Sequence, residues 1–155
     1  MAALEFSDSI DIALPPDALY ALVADVTRMG DWSPVCRACW WDDDGGPHVG
    51  AWFTGRNETP ERTWETRSQV VAADPGRQFA WEVNNGWVRW GFTFEPLSSG
   101  STRLTESWTF LPLGQDGFRE RYGDQADLQI AERTTSAHRG IPETLAAIKR
   151  TAESG

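Results

Sequence analysis

The sequence predicts a single α+β domain over residues 1–155, in the order strand, two short helices, six antiparallel strands and one long C-terminal helix. Three observations carry this expectation. Residues 39–112 are rich in aromatic and branched side chains of strand type, and turn clusters cut that stretch into segments of strand length. Residues 125–153 change to apolar spacings of three and four. A chain of 155 residues can bury about 70% of the surface its unfolded form exposes, enough for one core.

Phe6, Asp8, Ile10, Ile12 and Leu14 share one parity, and all but Asp8 are apolar, which predicts a first strand ending at Pro15-Pro16. Proline is tolerated in a first helical turn, so Pro16 and Asp17 open a helix through Leu19, Leu22, Val23 and Val26. A second short helix or turn falls at residues 27–31 and closes on Trp32-Ser33-Pro34, where Pro34 moves Ser33 away from helical geometry. Five clusters then separate six strands: Asp44-Gly45-Gly46-Pro47, residues 57–62, Asp74-Pro75-Gly76, Asn84-Asn85-Gly86 and Ser98-Ser99-Gly100. In the last third Leu128, Ile130, Thr134, Ala137, Ile141, Leu145 and Ile148 form the apolar stripe of a long helix. Gly140 and Pro142 interrupt it and predict a kink near Ile141.

One hairpin can be registered from the residues. A two-residue loop at Asn85-Gly86 pairs Asn84 with Trp87, and so sets Trp81 opposite Trp90, Phe79 opposite Phe92 and Val83 opposite Val88 on one face. The other face then brings Glu82 opposite Arg89, an ion pair suited to solvent. Continuing through Ser99-Gly100 sets Phe94 against Leu104, Glu95 against Arg103 and Trp90 against Trp108, and puts Glu106 beside Phe92. Three tryptophans on one face of adjacent strands, among nine in the chain, exceed what a core of this size needs. They predict the wall of a cavity for an apolar or aromatic small molecule.

Charge narrows the partners. With 23 acidic and 14 basic residues the net charge is −9, which repels nucleic acid and anionic lipid surfaces, and no basic patch offsets it. No signal sequence or long apolar run occurs, so a cytoplasmic protein without membrane insertion is expected, as a monomer or homodimer. Cys36 and Cys39 have C-x-x-C spacing, but a structural zinc site needs a second ligand pair, and the motif leads into a strand at Trp40-Trp41. Two reduced thiols, with no metal and no cofactor, are the expectation. Nucleophile elbows, phosphate loops and H-E-x-x-H motifs do not occur.

Glu106 is the sharpest anomaly, because Leu104, Trp108 and Phe110 share its parity. A carboxylate there must be paired, protonated or facing a wet cavity. Either it is structural, or it serves the pocket as a hydrogen-bonding group or an acid or base. Asn57 follows Ala51, Phe53 and Gly55 on one parity, and either lines the interior or closes a turn. Thr66 and Ser68 are hydroxyls on the parity of Trp64 and Val70, inside or outside. His138 lies one turn before Pro142 and seven residues before Leu145, which turns it toward the sheet as either a pocket group or a structural histidine, and Tyr122, in the connection at residues 117–124, either hangs over the cavity mouth or lies in solvent. Glu106, His138 and Tyr122 are therefore the candidates for proton transfer.

Several segments match in order a known pattern: Val23-Ala24-Asp25-Val26, Met29-Gly30-Asp31-Trp32-Ser33-Pro34, Gly46-Pro47, and Val49-Gly50-Ala51 with Phe53, Gly55 and Asn57. Phe79-x-Trp81-x-Val83, Trp90-x-Phe92-x-Phe94-Glu95-Pro96, Thr102-Arg103-Leu104-Thr105-Glu106 and Thr144-Leu145 with Ile148-Lys149 continue it. The chain resembles the polyketide cyclase and dehydrase family of the START-like superfamily over nearly its whole length. The resemblance implies a helix-grip fold, a seven-stranded antiparallel sheet curved around the C-terminal helix with a central cavity. It also implies that Trp32 and Pro34 form a lid and that Phe53, Asn57, Trp81, Trp90, Phe92 and Glu106 line the interior. Thr66, Ser68, Trp108 and His138 complete the expected ligand set. Three functions follow: binding of a hydrophobic small molecule, ring closure or dehydration in the same cavity, or a protein-interaction module with a packed interior.

Overall fold

In the computed structural model, which describes residues 4–43 and 46–154, every predicted strand joins one antiparallel sheet. Asp44 and Gly45 of the first turn cluster lie outside the described residues. The strands are β1 (Glu5–Ile12), β2 (Cys36–Trp41), β3 (Trp52–Thr59), β4 (Arg62–Asp74), β5 (Gln78–Val83), β6 (Val88–Pro96) and β7 (Thr102–Phe110), in the spatial order β1-β7-β6-β5-β4-β3-β2. Along β7 the even-numbered residues from Thr102 to Phe110 are all buried and the odd-numbered ones are not, as a strand with one core face requires. The helices are α1 (Pro16–Val23), α2 (Pro112–Tyr122) and α3 (Ala126–Ser154). The curved sheet and long C-terminal helix are those of the helix-grip fold.

Helix α1 ends at Val23, short of Val26, because Asp25 starts a new turn. Its carboxylate accepts the Thr27 N–H at 3.1 Å and caps the 3₁₀ segment Val26–Asp31. The register of β5, β6 and β7 is as the residues predict, with Trp81 opposite Trp90, Trp90 opposite Trp108, and Phe92 opposite Glu106. The hairpin loop differs. Asn84, Asn85 and Gly86 all take positive φ (53°, 59° and 100°), and the Trp87 N–H donates to the Val83 carbonyl at 2.9 Å, so four residues turn the chain instead of two. Asn84 reaches the left-handed region because asparagine tolerates it. Trp87 is thereby released from the ladder, and its carbonyl accepts the Leu111 N–H at 3.0 Å.

Two further corrections concern elements. Strand β2 begins at Cys36, four residues before Trp40. The connection at residues 117–124, read as a loop, is largely helix α2. Gly114 and Gly117 weaken the helical signal there, and both are demanded by Trp87. A Cβ on Gly114 would stand 2.2 Å from the Trp87 carbonyl oxygen, and one on Gly117 would stand 2.3 Å from its indole. Helix α3 runs unbroken through Gly140 and Pro142 and packs on β1 and β7.

The interior divides along α3. At one end Leu19, Tyr20 and Val23 of α1 meet Phe79, Phe94 and Leu104 of the sheet and Ile141, Leu145 and Ile148 of α3 in a solid core. Tyr20 packs edge-on to Phe79 and tilted on Phe94, at ring separations of 6.2 and 5.5 Å. The other end is hollow. Gly114→Ala should therefore destabilise the fold by about 1–3 kcal/mol through overpacking against backbone. Gly117→Ala should cost less, since a side chain can shift; thermal melts of both variants check the order.

Candidate functional site

A cavity of about 410 Å³ lies between the sheet, α2 and the middle of α3. Six of the nine tryptophans border it: Trp32, Trp64, Trp81, Trp87, Trp90 and Trp108. The sheet rings support one another sideways, Trp41 on Phe53 at 5.6 Å, Phe53 on Trp81 at 5.8 Å and Trp81 on Phe92 at 6.0 Å. A second cluster joins Trp108, Phe110 and Phe118, with Trp87 and Tyr122 against Phe118. Opposite them α3 presents Arg133, Ser136, Ala137, Gly140 and Thr144 at spacings of three and four. Small side chains on the helix leave the space that large ones on the sheet surround.

Glu106 reaches this space from the centre of β7. It is 4% exposed, and its Oε1 has no hydrogen-bond partner among the described residues. Burial alone holds its carboxyl well above the ordinary range, which favours the protonated form. Its register partner on β1, Asp8, is exposed and accepts the Ser9 N–H at 2.9 Å. A neutral carboxyl in an apolar wall can donate one hydrogen bond and accept others.

The polar part of the wall comes from β2, β3 and β4. Asn57, Thr66 and Ser68 all line the cavity, and the Asn57 amide donates to the Thr66 hydroxyl at 3.1 Å. Cys36 and Cys39 line it too, as free thiols. Residues three apart on a regular strand face opposite ways, but a β-bulge between Cys36 and Ala38 turns both thiols inward, over Gly55. Hydrogen bonding between them draws Cys36 below the ordinary thiol range and raises Cys39 above it. The C-x-x-C motif is thus a pair of neighbouring thiols in a cavity wall.

Of the residues singled out from sequence, Trp32, Phe53, Asn57, Thr66, Ser68, Trp81, Trp90, Phe92, Glu106, Trp108 and Tyr122 border the cavity. Pro34 stands beside Trp32 at its rim. His138 does not border it. The α3 stripe toward the cavity runs through Ala137 and Gly140, which turns His138 to the exposed flank, where it stacks on Phe6 at 4.2 Å. Sequence reasoning missed Arg62, Arg121 and Arg133, Trp87 and Phe118, and the inward thiols. Arg133 precedes Ala137 and Gly140 by one and two helical turns, which was the available signal for it.

A family model described as polyketide cyclase/dehydrase and lipid transport matches residues 3–151. The solution structure of the Polyketide_cyc-like protein Cgl2372 from Corynebacterium glutamicum is 56% identical, with 98% of this chain and 93% of that chain covered at a TM-score of 0.72. The Zhui aromatase/cyclase from Streptomyces sp. R1128 shares the fold at 20% identity and a TM-score of 0.69, covering 96% of this chain and 93% of that one. The di-domain ARO/CYC StfQ of the steffimycin biosynthetic pathway shares it at 16% identity and a TM-score of 0.69, over 98% of this chain and 51% of that one. Among curated proteins none matches. No helix of the described residues is long and apolar enough to cross a membrane.

The Glu106 environment has a pH signature. Between the ordinary carboxyl value of 4.5 and its raised folded value, the folded state holds a proton that the unfolded chain has lost, so stability falls as pH rises through that window. Glutamine cannot titrate. The melting temperature of Glu106→Gln should gain on the parent's as pH rises above about 4.5, and the gap should shrink below that value. A gap independent of pH would show that the carboxyl titrates normally.

Proposed function

The chain belongs to the polyketide cyclase/dehydrase and lipid transport family, and from that premise we propose that its interior binds a hydrophobic, aromatic small molecule oriented by the Glu106 carboxyl. The cavity with its unpartnered buried carboxyl oxygen carries this reading. At about 410 Å³ it falls within the range of about 300–1,000 Å³ that drug-sized ligands occupy. Apolar burial against Trp81, Phe92 and Trp108 supplies affinity. Trp90 sits between Trp81 and Trp108 in the register yet stacks on no other ring among the described residues, and so offers a face to a flat ligand. Asn57 and Thr66 give further hydrogen-bonding groups on β3 and β4. A protein-interaction module needs a packed interior, which this hollow end argues against.

A second reading, ring closure or dehydration of a polyketide-like chain, draws support from the same carboxyl. An acid shifted upward by burial holds its proton above the ordinary carboxyl range and can serve as a general acid there. Tyr122 borders the same space and is the other candidate for proton transfer; His138 lies on the far flank. Shaped confinement supplies the remaining requirement, holding the reacting carbons near one another.

Calorimetric titration with 1-acetylnaphthalene and its alkyl counterpart 1-ethylnaphthalene tests binding and orientation together. Both should saturate, and Glu106→Leu should weaken the ketone by roughly threefold to tenfold while leaving the alkyl compound unaffected. Absence of saturable binding by either compound would overturn the reading. For the catalytic alternative, Glu106→Gln keeps a hydrogen-bond donor but has no proton to transfer. It should retain ketone binding and lose acceleration of cyclisation of a short poly-β-ketone thioester; equal rates in parent and variant would remove Glu106 from the reaction.

A further inference from the structure

We infer that the cavity mouth is an anion site, so that the ligand is an amphipathic anion with its apolar body inside and a single carboxylate-, sulfonate- or phosphate-type head among Arg62, Arg121 and Arg133. This rests on the proposed reading of the cavity as a small-molecule site and specifies the class of molecule.

The mouth is located by residues shared between the cavity and an outer groove. Pro34, Val35, Arg62, Trp64, Arg133 and Ser136 border both, which puts the opening between the lid segment, the β3–β4 hairpin and the middle of α3. Arg121, at the end of α2, lines the cavity from the third side. Two guanidinium groups stand at this opening and a third lines the cavity behind it, in a chain with net charge −9. None forms an ion pair among the described residues, whereas seven pairs form elsewhere. The carboxylate of Glu65 on the same lining is taken by Arg56 at 3.3 Å.

Each of the three is seated on an aromatic ring: Arg62 over Trp64 at 4.2 Å, Arg121 over Trp87 at 5.7 Å and Arg133 over Phe118 at 5.5 Å. A guanidinium over a ring face is attracted to it and can still turn N–H groups toward a two-oxygen acceptor. Arg133 is half-buried, and burial together with the like charge of Arg62 lowers its proton affinity, against smaller opposing effects of Tyr122 and Glu132. An anion seated there would relieve both effects. Glu61, Glu132 and Glu143 border the groove beyond, outnumbering Arg139 there, and pair with none of the three arginines. They confine the positive field to the opening, which suits a small head group and disfavours a polyanion. Burial alone accounts for the raised carboxyl of Glu106, with no cation acting on it, so the two ends of the site differ in polarity and set the ligand's direction.

Two fluorescent probes of nearly one shape separate this inference from its premise: 8-anilinonaphthalene-1-sulfonate and the uncharged N-phenyl-1-naphthylamine. At low salt the sulfonate should bind about tenfold or more tightly, as a charge-assisted contact implies. The preference should fall toward one in Arg62→Gln, in Arg121→Gln and in Arg133→Gln combined with Arg62→Gln, and on raising ionic strength. Arg89→Gln, on the outer sheet face, should preserve it. If the Arg133 variant does not fold, the two exposed positions carry the test. Failure of both probes to bind removes the small-molecule reading. Equal affinities in the parent, or a sulfonate preference that all the mouth variants retain, overturns the anion site and leaves the cavity standing.

Discussion

A difference in side-chain size between two facing surfaces holds the interior open, and the rest of the structure depends on it. The sheet presents Phe53, Trp81, Trp90, Phe92 and Trp108, and α3 answers with Ser136, Ala137, Gly140 and Thr144. Farther along the same helix Ile141, Leu145 and Ile148 close the gap against Leu104 and Phe79. One helix thus packs at one end and stands off at the other. An apolar void costs on the order of 24 cal/mol per Å³. At about 410 Å³ the penalty would be on the order of 10 kcal/mol, comparable with the stability of a whole domain. A space of that size is too costly to leave empty, and Asn57, Thr66, Ser68 and Glu106 are the lining groups that would give water partners.

The same groups set a gradient of polarity. Glu106 is buried without a cation and prefers to be neutral, whereas the arginines at the opening stay charged on their aromatic seats. Water filling such a site is held weakly along the indoles and more firmly at the polar groups. On the proposed reading, its release from the indole surfaces would favour an apolar body, and the polar groups would decide which way that body lies.

Much of this was legible in the residues because period-two patterns report directly on sheet faces. Asn85-Gly86 fixed the β5–β6 register, and the opposed Glu82 and Arg89, 3.5 Å apart, support it from the other face. The same alternation placed Glu106 among apolar neighbours. What escaped depended on backbone irregularity or on tertiary demand. The bulge after Cys36 turns two thiols inward that regular alternation would separate. Helix α2 hid behind two glycines whose reason is the packing of Trp87, a residue distant in sequence. His138 was placed by heptad spacing from Leu145, and the helix instead turns Ala137 to the cavity and His138 to Phe6.

Trp87 shows how closely the fold and the site are joined. A strict two-residue turn would keep it in the ladder; three successive left-handed residues release it instead. Its carbonyl then anchors the entry to α2 through Leu111, and its indole supports Phe118 at 6.0 Å and lies beneath Arg121. Phe118 in turn carries Arg133 from α3 and Tyr122 from the end of α2. One side chain displaced from a sheet therefore organises the helix that closes the cavity and two of the three arginines that line it. Two glycines in α2 are the steric condition for that arrangement. They lower helix propensity, and their place in the sequence reflects the site's geometry more than the stability of the helix that holds them.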